Sequence, residues 1–428
     1  MAGISRPRGT EDLLPEPLAR LNRVLAAGLQ VAQAHGYRQI ETPIFESTDL
    51  FVRGVGESTD VVTREMYTFP DRGGRSLTLR PEGTAPVVRA FWESPLRQDP
   101  LPVRISYAGP MFRYDRPGKG RYREFHQFGV EVLGESEPEV DAEVIGLAWR
   151  WLERLGVSGT SLQLNSLGDR ECRPAYRAAL LEFFEPRMAA LPELDRERLR
   201  RNPLRVLDSK ELAGAGILDQ APRTLDHLCS GCREAFERVQ EALEALGIPF
   251  AVNHRLVRGL DYYARTAFEV WHQELAGAQN ALFGGGRYDG LSELLGYPPL
   301  PGVGFAAGLE RVAMISAPPP APMGPELAVL SAPPADQKAA VALADRLRAA
   351  GMAVLLDAGV RGLRAKLSFA ERSGVRLALI LGESELRGRT VTVRRMSGRT
   401  QASVPLEGLE ERLRALLGTG ESAEEGTS

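Results

Sequence analysis

Cysteine occurs only three times among 428 residues, at 172, 229 and 232, too few and too unevenly spaced for a disulfide framework. No apolar run reaches the roughly 18 residues of a membrane-spanning helix, and the opening MAGISRPRGTEDLLP lacks the apolar segment of a secretory signal. A cytoplasmic protein with no membrane attachment is expected. Lysine stands only at 119, 210, 338 and 366, so nearly all positive charge is arginine. The five histidines and three cysteines are too scattered to assemble a Ser-His-Asp or Cys-His set, which argues against catalysis by a protein nucleophile. The phosphate-loop pattern GxxxxGKS/T is absent. What is present, 25% charged and 43% hydrophobic residues, suits a globular chain long enough for two or three domains. A net charge of −3 argues against wholesale nucleic-acid coating and leaves room for charge segregated by domain.

The most informative stretch is VRISYAGPMFRYDRPGKGRYREFHQFGVEVLG, residues 103–134. Segments 103–113 and 125–133 are rich in β-branched and aromatic residues, while 114–124 carries Pro117, Gly118, Gly120 and several cations. Two strands joined by a basic loop are predicted. Alternation puts Phe125, Gln127, Gly129, Glu131 and Leu133 on one face and Phe128, Val130 and Val132 on the other. The second is a core face. The first reads as a floor, where Gln127 and Glu131, about 13 Å apart at ~3.3 Å per residue, offer a small polar ligand an amide and a carboxylate across Gly129. The same alternation sets Tyr107 and Arg113 on one face of the preceding strand. Arg116, Lys119, Arg121 and Arg123 in the loop suit a polyanion; a solvated hairpin with a charged tip satisfies the same pattern.

Elsewhere, Leu18, Leu21, Leu25, Leu29 and Ala32 recur at helical spacing over 16–35, with Gly36 as the cap. A strand leads through Ile40 to Pro43, and 60–80 reads as a hairpin turning at Asp71 to Gly74. The glycines of 50–65 suggest a moving loop. At PEGT, 81–84, a helix begins; Thr84 is the expected cap, and Glu82 either serves the helix dipole or faces a bound amine. After a helix over 137–155 and a strand at 162–167, residues 170–246 turn helical and charged, an expected insertion between two strands of one sheet. Cys229 and Cys232 form half of a zinc motif. With no second CxxC, and His227 and Cys172 as the further donors, no metal site is assigned and a thiol pair is expected. Strands return around RGLDYYARTAFEV in 252–272. FGGGRYDGL at 283–291 reads as a glycine-rich turn, where a ligand or backbone passes close or where a plain hairpin reverses. GVGFAAGLERV at 302–312 is a strand opening into a helix; its GxGxxA lacks the βαβ setting of a dinucleotide site. APPPAPMGP at 317–325 is a linker. Beyond it, strands at 326–331, 352–357, 376–382 and 390–396 alternate with helices at 335–350 and 360–373, and a last helix spans 407–417. They make a compact α/β domain over 326–418, whose 15 Lys plus Arg against 10 Asp plus Glu give it +5. The tail, 419–428, is small and acidic, and disorder is expected.

Arg113, Arg121, Arg258, Arg287 and Arg311 all stand beside glycine-rich backbone. Phosphoryl and nucleotidyl transfer need positioning and positive charge more than covalent help, so this set suggests such a reaction.

RPRGTEDLLP at 6–15, GYRQIETPIFE at 36–46, MFRYDRPGKGRYREFHQFGVEVLG at 111–134, LVRGLDYYARTAFEV at 256–270 and GVGFAAGLERV at 302–312 together resemble the histidyl-tRNA synthetases, which are class II aminoacyl-tRNA synthetases. The resemblance covers all but the tail. It implies an α/β (α+β) fold: an antiparallel sheet with flanking helices in 1–169 and 247–316 as the catalytic core, a helical insertion at 170–246 that clamps the acceptor stem, and an anticodon-binding domain at 326–418. It implies that histidine and ATP, accompanied by Mg2+, give histidyl-adenylate, and that the histidyl group then passes to tRNA, in a homodimer built on the first motif. Glu82, Gly83, Thr84 and Gln127 would hold the amino end of histidine, and Glu131 with Tyr262 or Tyr263 its imidazole. Arg113 would meet the α-phosphate, and Arg121 and Arg311 the rest of ATP. Arg258 would be catalytic, standing where other class II enzymes place a metal ion. Arg116 would meet the acceptor end of tRNA, beside a Gly118 where many relatives carry glutamine. The alternative is a synthetase-like regulatory subunit of histidine biosynthesis; such paralogues usually lose motif arginines and the C-terminal domain, both intact here. A non-enzymatic nucleic-acid-binding module would leave Gln127 and Glu131 without a purpose.

Overall fold

The β-branched and aromatic residues of 103–134 form the hairpin their pattern predicts. In the computed structural model, which describes residues 3–57, 59–275, 281–318, 324–332 and 337–418, Val103–Phe112 and Glu124–Leu133 pair antiparallel. They sit in an eight-stranded sheet of order Arg38–Ile40, Val103–Phe112, Glu124–Leu133, Gly302–Gly308, Ala281–Arg287, Ala264–His272, Thr160–Ser166 and Phe250–Val252. The pairings at the two edges are parallel and those between are antiparallel.

Alternation decides the layers. Phe128, Val130 and Val132 join Phe268, Phe283 and Phe305 in a core completed by Val24 and Val31 of the helix Pro15–Ala34 and by Leu147 and Trp151 of Glu139–Arg154. Each large side chain buried this way contributes about 1.5–3 kcal/mol. A one-residue slip would turn the whole set to the opposite face, so this layer fixes the register. A second cluster contains Ile105, Tyr107, Met111, Tyr262, Tyr263 and Tyr288.

Several local expectations are corrected. Residues 50–65 are not a loop: Leu50, Phe51 and Val55 fall on one helical stripe and bury it, giving the helix Thr48–Val55, and a π-helical turn follows at Val61–Glu65. The hairpin Tyr67–Pro70 and Ser76–Leu79 turns on Asp71, whose carboxylate accepts the N–H groups of Gly73 and Arg75, and Phe45–Ser47 joins it as a third strand. The glycines of 284–286 lie within the strand Ala281–Arg287 rather than in a turn. RGLDYY runs as irregular chain up to the strand Ala264–His272.

Between Thr160–Ser166 and Phe250–Val252, which pair with each other, the chain is helical, with Arg173–Phe184, Glu193–Arg201 and Ser230–Ala245 as its longer elements. Ser230–Ala245 buries Phe236, Val239 and Leu243 in the first core cluster, while Tyr176, Leu180, Phe184 and Leu199 of the segment 170–229 join the second, with Ile105, Tyr107 and Met111.

The chain divides into two units, 1–319 and 320–428. The 317–325 linker lies largely, and the 419–428 tail entirely, outside the described residues. The second unit has a sheet of order Val354–Asp357, Leu327–Ser331, Leu377–Leu381, Thr390–Arg395 and Gln401–Pro405. Its first three strands are parallel and the last two antiparallel to their neighbours. Helices Gln337–Ala349 and Leu409–Gly418 supply Leu343, Leu347, Leu409 and Leu413 to its core. The short helix Glu383–Gly388 was not anticipated. No described helix is long and apolar enough to cross a membrane.

Candidate active site

A pocket in the first unit is lined by Glu82, Thr84, Arg113, Arg121, Gln127, Arg258, Tyr262, Tyr263 and Arg311, together with Asp115, Phe125, Glu269 and Glu310. Nine of the residues singled out in the sequence therefore converge. Gly83 and Glu131 do not line it, and Arg116 is exposed in the loop.

Glu82 precedes the helix Thr84–Glu93, and its carboxylate accepts the N–H groups of Thr84 (2.7 Å) and Ala85 (2.9 Å). The cap is thus Glu82 and not Thr84. Its two readings coexist, because the same carboxyl also borders the pocket, 3.5 Å from the Tyr262 hydroxyl. Burial raises its pKa against the opposing N–H groups. With capping done by Glu82, the Thr84 hydroxyl donates to Glu131 at 2.7 Å. Nearby, Gln127 is 8% exposed and its Oε1 has no hydrogen-bond partner. Leaving such an acceptor unsatisfied costs about 1–3 kcal/mol.

Glu131 lies one layer down. It is fully buried, with Oε1 near the Thr84 and Tyr107 hydroxyls and Oε2 2.6 Å from that of Tyr288. Burial pushes its pKa up to about 8. The open floor drawn across Gly129 is corrected: the Tyr107 ring fills it, since a Cβ on Gly129 would meet that ring at 2.4 Å and one on Gly83 at 2.1 Å. Gly304 makes room for Glu131 itself, with a Cβ there falling 1.7 Å from Oε2. The second glycine of GVGF therefore accommodates a carboxylate.

Four guanidinium groups approach the pocket from different elements. Arg113 Nε donates to the Pro81 carbonyl (2.8 Å), and its guanidinium lies 5.7 Å from the Phe125 ring centre. Arg121 pairs with Asp115 at 2.8 Å. Arg311 donates to the carbonyls of Gly120 and Ala281, both at 3.0 Å; burial, then Arg121 and Arg113, lower its pKa. Next to it, Glu310 accepts the His126 backbone N–H at 2.8 Å and stands 2.9 Å from Nδ1, which ties the 302–315 element to the hairpin. Arg258 is paired with Glu269, lies 5.3 Å from the Tyr263 ring centre, and has a buried Nε without a partner. It crosses the sheet at Gly284, where a Cβ would stand 2.4 Å from Nη1. That crossing is what the glycine run accommodates.

Arg287 does not join them. It is 1% exposed and paired with Asp141 (2.5 Å) and Asp289 (3.2 Å), a buried structural ion pair whose breaking costs about 3–5 kcal/mol. Arg123 is also structural. Its guanidinium lies over the Tyr114 ring at 3.7 Å and donates to the Arg8 carbonyl, while its N–H bonds the Gly9 carbonyl at 2.8 Å. Glu269 and Asp115, which hold pocket arginines, were missed from the sequence. A lone acid within the apolar strand run AFEVW was the available signal for Glu269. His227, sought as a zinc ligand, packs against Tyr176 at 5.6 Å between ring centres; Asp169 is the residue that stands with the three cysteines.

A largely antiparallel sheet bearing an arginine-lined pocket, in a chain with a separate α/β unit, is the arrangement of the class II aminoacyl-tRNA synthetases. The family model for histidyl-tRNA synthetase matches residues 9–312, and that for an anticodon-binding domain matches 326–416. The chain is 48% identical over 414 residues to the histidine–tRNA ligase of Pelotomaculum thermopropionicum, covering 96% of this chain and 97% of that one. It is 50% identical over 419 residues to that of Desulforudis audaxviator, covering 96% and 98%. The crystal structure of apo S. aureus histidyl-tRNA synthetase matches with a TM-score of 0.80 at 36% identity, over 96% of this chain and 99% of that one. The chain belongs to the histidyl-tRNA synthetase family.

Proposed function

We infer that the chain is an ATP-dependent histidine–tRNA ligase. A carboxylate oxygen of histidine attacks the α-phosphorus of ATP, the bond to pyrophosphate breaks, and the resulting adenylate passes its histidyl group to the 3′-terminal ribose of tRNA. The observation that carries this reading is a pair of buried, unpartnered groups of opposite kind in one pocket: the acceptor Gln127 Oε1 and the donor Arg258 Nε. An amino-acid adenylate offers an ammonium to the first and carboxyl or phosphate oxygens to the second.

Glu82, Thr84 and Gln127 take the ammonium end, and Gly83 gives Tyr107 its place beneath them. Tyr262 or Tyr263 meets the imidazole, and Glu131, one layer down, anchors the Thr84 and Tyr107 hydroxyls beneath the ammonium end. Arg113 and Arg258 face the α-phosphate; one such donor contributes roughly 10²–10³-fold in rate. Arg121 and Arg311 hold the remainder of ATP. Mg2+ enters with ATP as part of the substrate, held by phosphate oxygens and water. Glu82, Asp115, Glu269 and Glu310, which line the pocket, already have protein donors. Arg116, the helical segment 170–229 and the second unit serve tRNA. The first motif exposes Ile44 and Phe45 (42% and 51%), apolar surface that suits a cytoplasmic homodimer. A regulatory paralogue would have no use for four converging arginines and a matched anticodon-binding domain.

The test is histidine-dependent ATP–pyrophosphate exchange on the purified protein, then charging of tRNA with histidine. Both are expected. Histidine binding without either would put the regulatory reading in its place.

A further inference from the structure

We propose that Asp169, Cys172, Cys229 and Cys232 form a structural zinc site at the root of the helical segment 170–229. One carboxylate oxygen and the three sulfurs lie within 4.8 Å of one another. A tetrahedral zinc ion, with Zn–S near 2.3 Å and Zn–O near 2.0–2.2 Å, holds such atoms roughly 3.5–3.8 Å apart, so small side-chain rotations close the set. Cys172 and Cys232 are buried. The Cys172 sulfur is already 3.3 Å from Asp169 Oδ1, and the Cys229 N–H points at it from 3.2 Å, a contact that supports a thiolate.

The donors come as two pairs with the same spacing, Asp-x-x-Cys and Cys-x-x-Cys. The first pair lies just ahead of the helix Arg173–Phe184 and the second opens Ser230–Ala245. Gly168, at φ +62°, lets the chain turn tightly enough to place the first pair; a Cβ there would stand 2.9 Å from Cys172 Cβ. Asp169 Oδ1 also accepts the N–H groups of Glu171 and Cys172, and Arg265 stands 3.7 Å from Oδ2, outer contacts that fix the carboxylate's orientation. Three thiolates select zinc over magnesium or calcium.

The ion would staple the two ends of a long helical excursion to each other. It would also hold Arg173, next to Cys172, on the Tyr263 carbonyl at the pocket.

Full-length protein purified without chelators is expected to carry about one zinc per chain by elemental analysis. Its cobalt-substituted form should show thiolate-to-cobalt absorption in the near ultraviolet. Cys232→Ser and, independently, Asp169→Asn should each lose the ion. Because a cysteine variant can fail to fold, a second readout uses the wild type: chelation should speed tryptic cleavage within 170–229, and zinc should reverse it. A protein that retains no zinc after loading, or that holds Cys229 and Cys232 as a disulfide when prepared anaerobically, overturns the proposal. Neither readout depends on aminoacylation.

Discussion

Arg258 shows how a largely buried cation is kept charged. Burial works against the charge, and the neighbouring Glu269 and Tyr263 outweigh it, so the net effect is to raise its pKa. Arg258→Ala is expected to lower pyrophosphate exchange roughly 10²–10³-fold with a native circular dichroism spectrum, since Glu269 keeps Trp271 Nε1 as a donor at 2.8 Å. Near-normal exchange by the folded variant would refute the assignment. Glu131 is the opposite case, a carboxyl that burial holds in its neutral form. Its pKa rises from 4.5 to about 8, so its contribution to stability is complete below pH 4.5 and is lost as pH climbs toward 8. Glu131→Gln should flatten the decline in melting temperature across that window. Equal slopes in the two proteins would show that another group titrates.

At the level of elements, what could be read from the sequence was periodicity, and what could not was whatever crosses from elsewhere. Alternation over 124–133 gave the core face of Phe128, Val130 and Val132 correctly because side-chain direction in a strand is local. The glycines of 284–286 read as a turn because the guanidinium passing over them comes from a segment 26 residues earlier in the chain. Arg287 looked like a nucleotide ligand for the same reason: its partner Asp141 lies on a distant helix. Thr84 was taken for the cap because hydroxyls commonly are, while Glu82 had two N–H groups within reach. Gly284→Ala tests the crossing directly. Its Cβ would fall 2.4 Å from Arg258 Nη1 and 2.7 Å from the Phe268 carbonyl. Exchange should drop at least about tenfold, at a stability cost of about 1–3 kcal/mol for an overpacked site. Unchanged exchange would mean that Arg258 works from another position.

For the whole molecule, the shift in composition after the proline-rich stretch falls beside the division into units 1–319 and 320–428. The packing of Ser230–Ala245 into the first core cluster was not legible because that helix is charged on one side and apolar on the other, and composition averages the two. The division predicts that residues 1–318 alone keep histidine-dependent exchange but charge tRNA poorly. In the full chain, charging should weaken with salt more steeply than exchange, because residues 326–418 of the second unit carry +5 and their phosphate contacts release counterions. Equal salt slopes for the two reactions would argue against that role. Arg123 has a last consequence. It suspends the basic loop from the carbonyls of Arg8 and Gly9, so a protease that trims the chain ahead of Thr10 would slacken the grip on ATP from outside the pocket. The trimmed enzyme should need more ATP for half-maximal exchange while its demand for histidine stays the same.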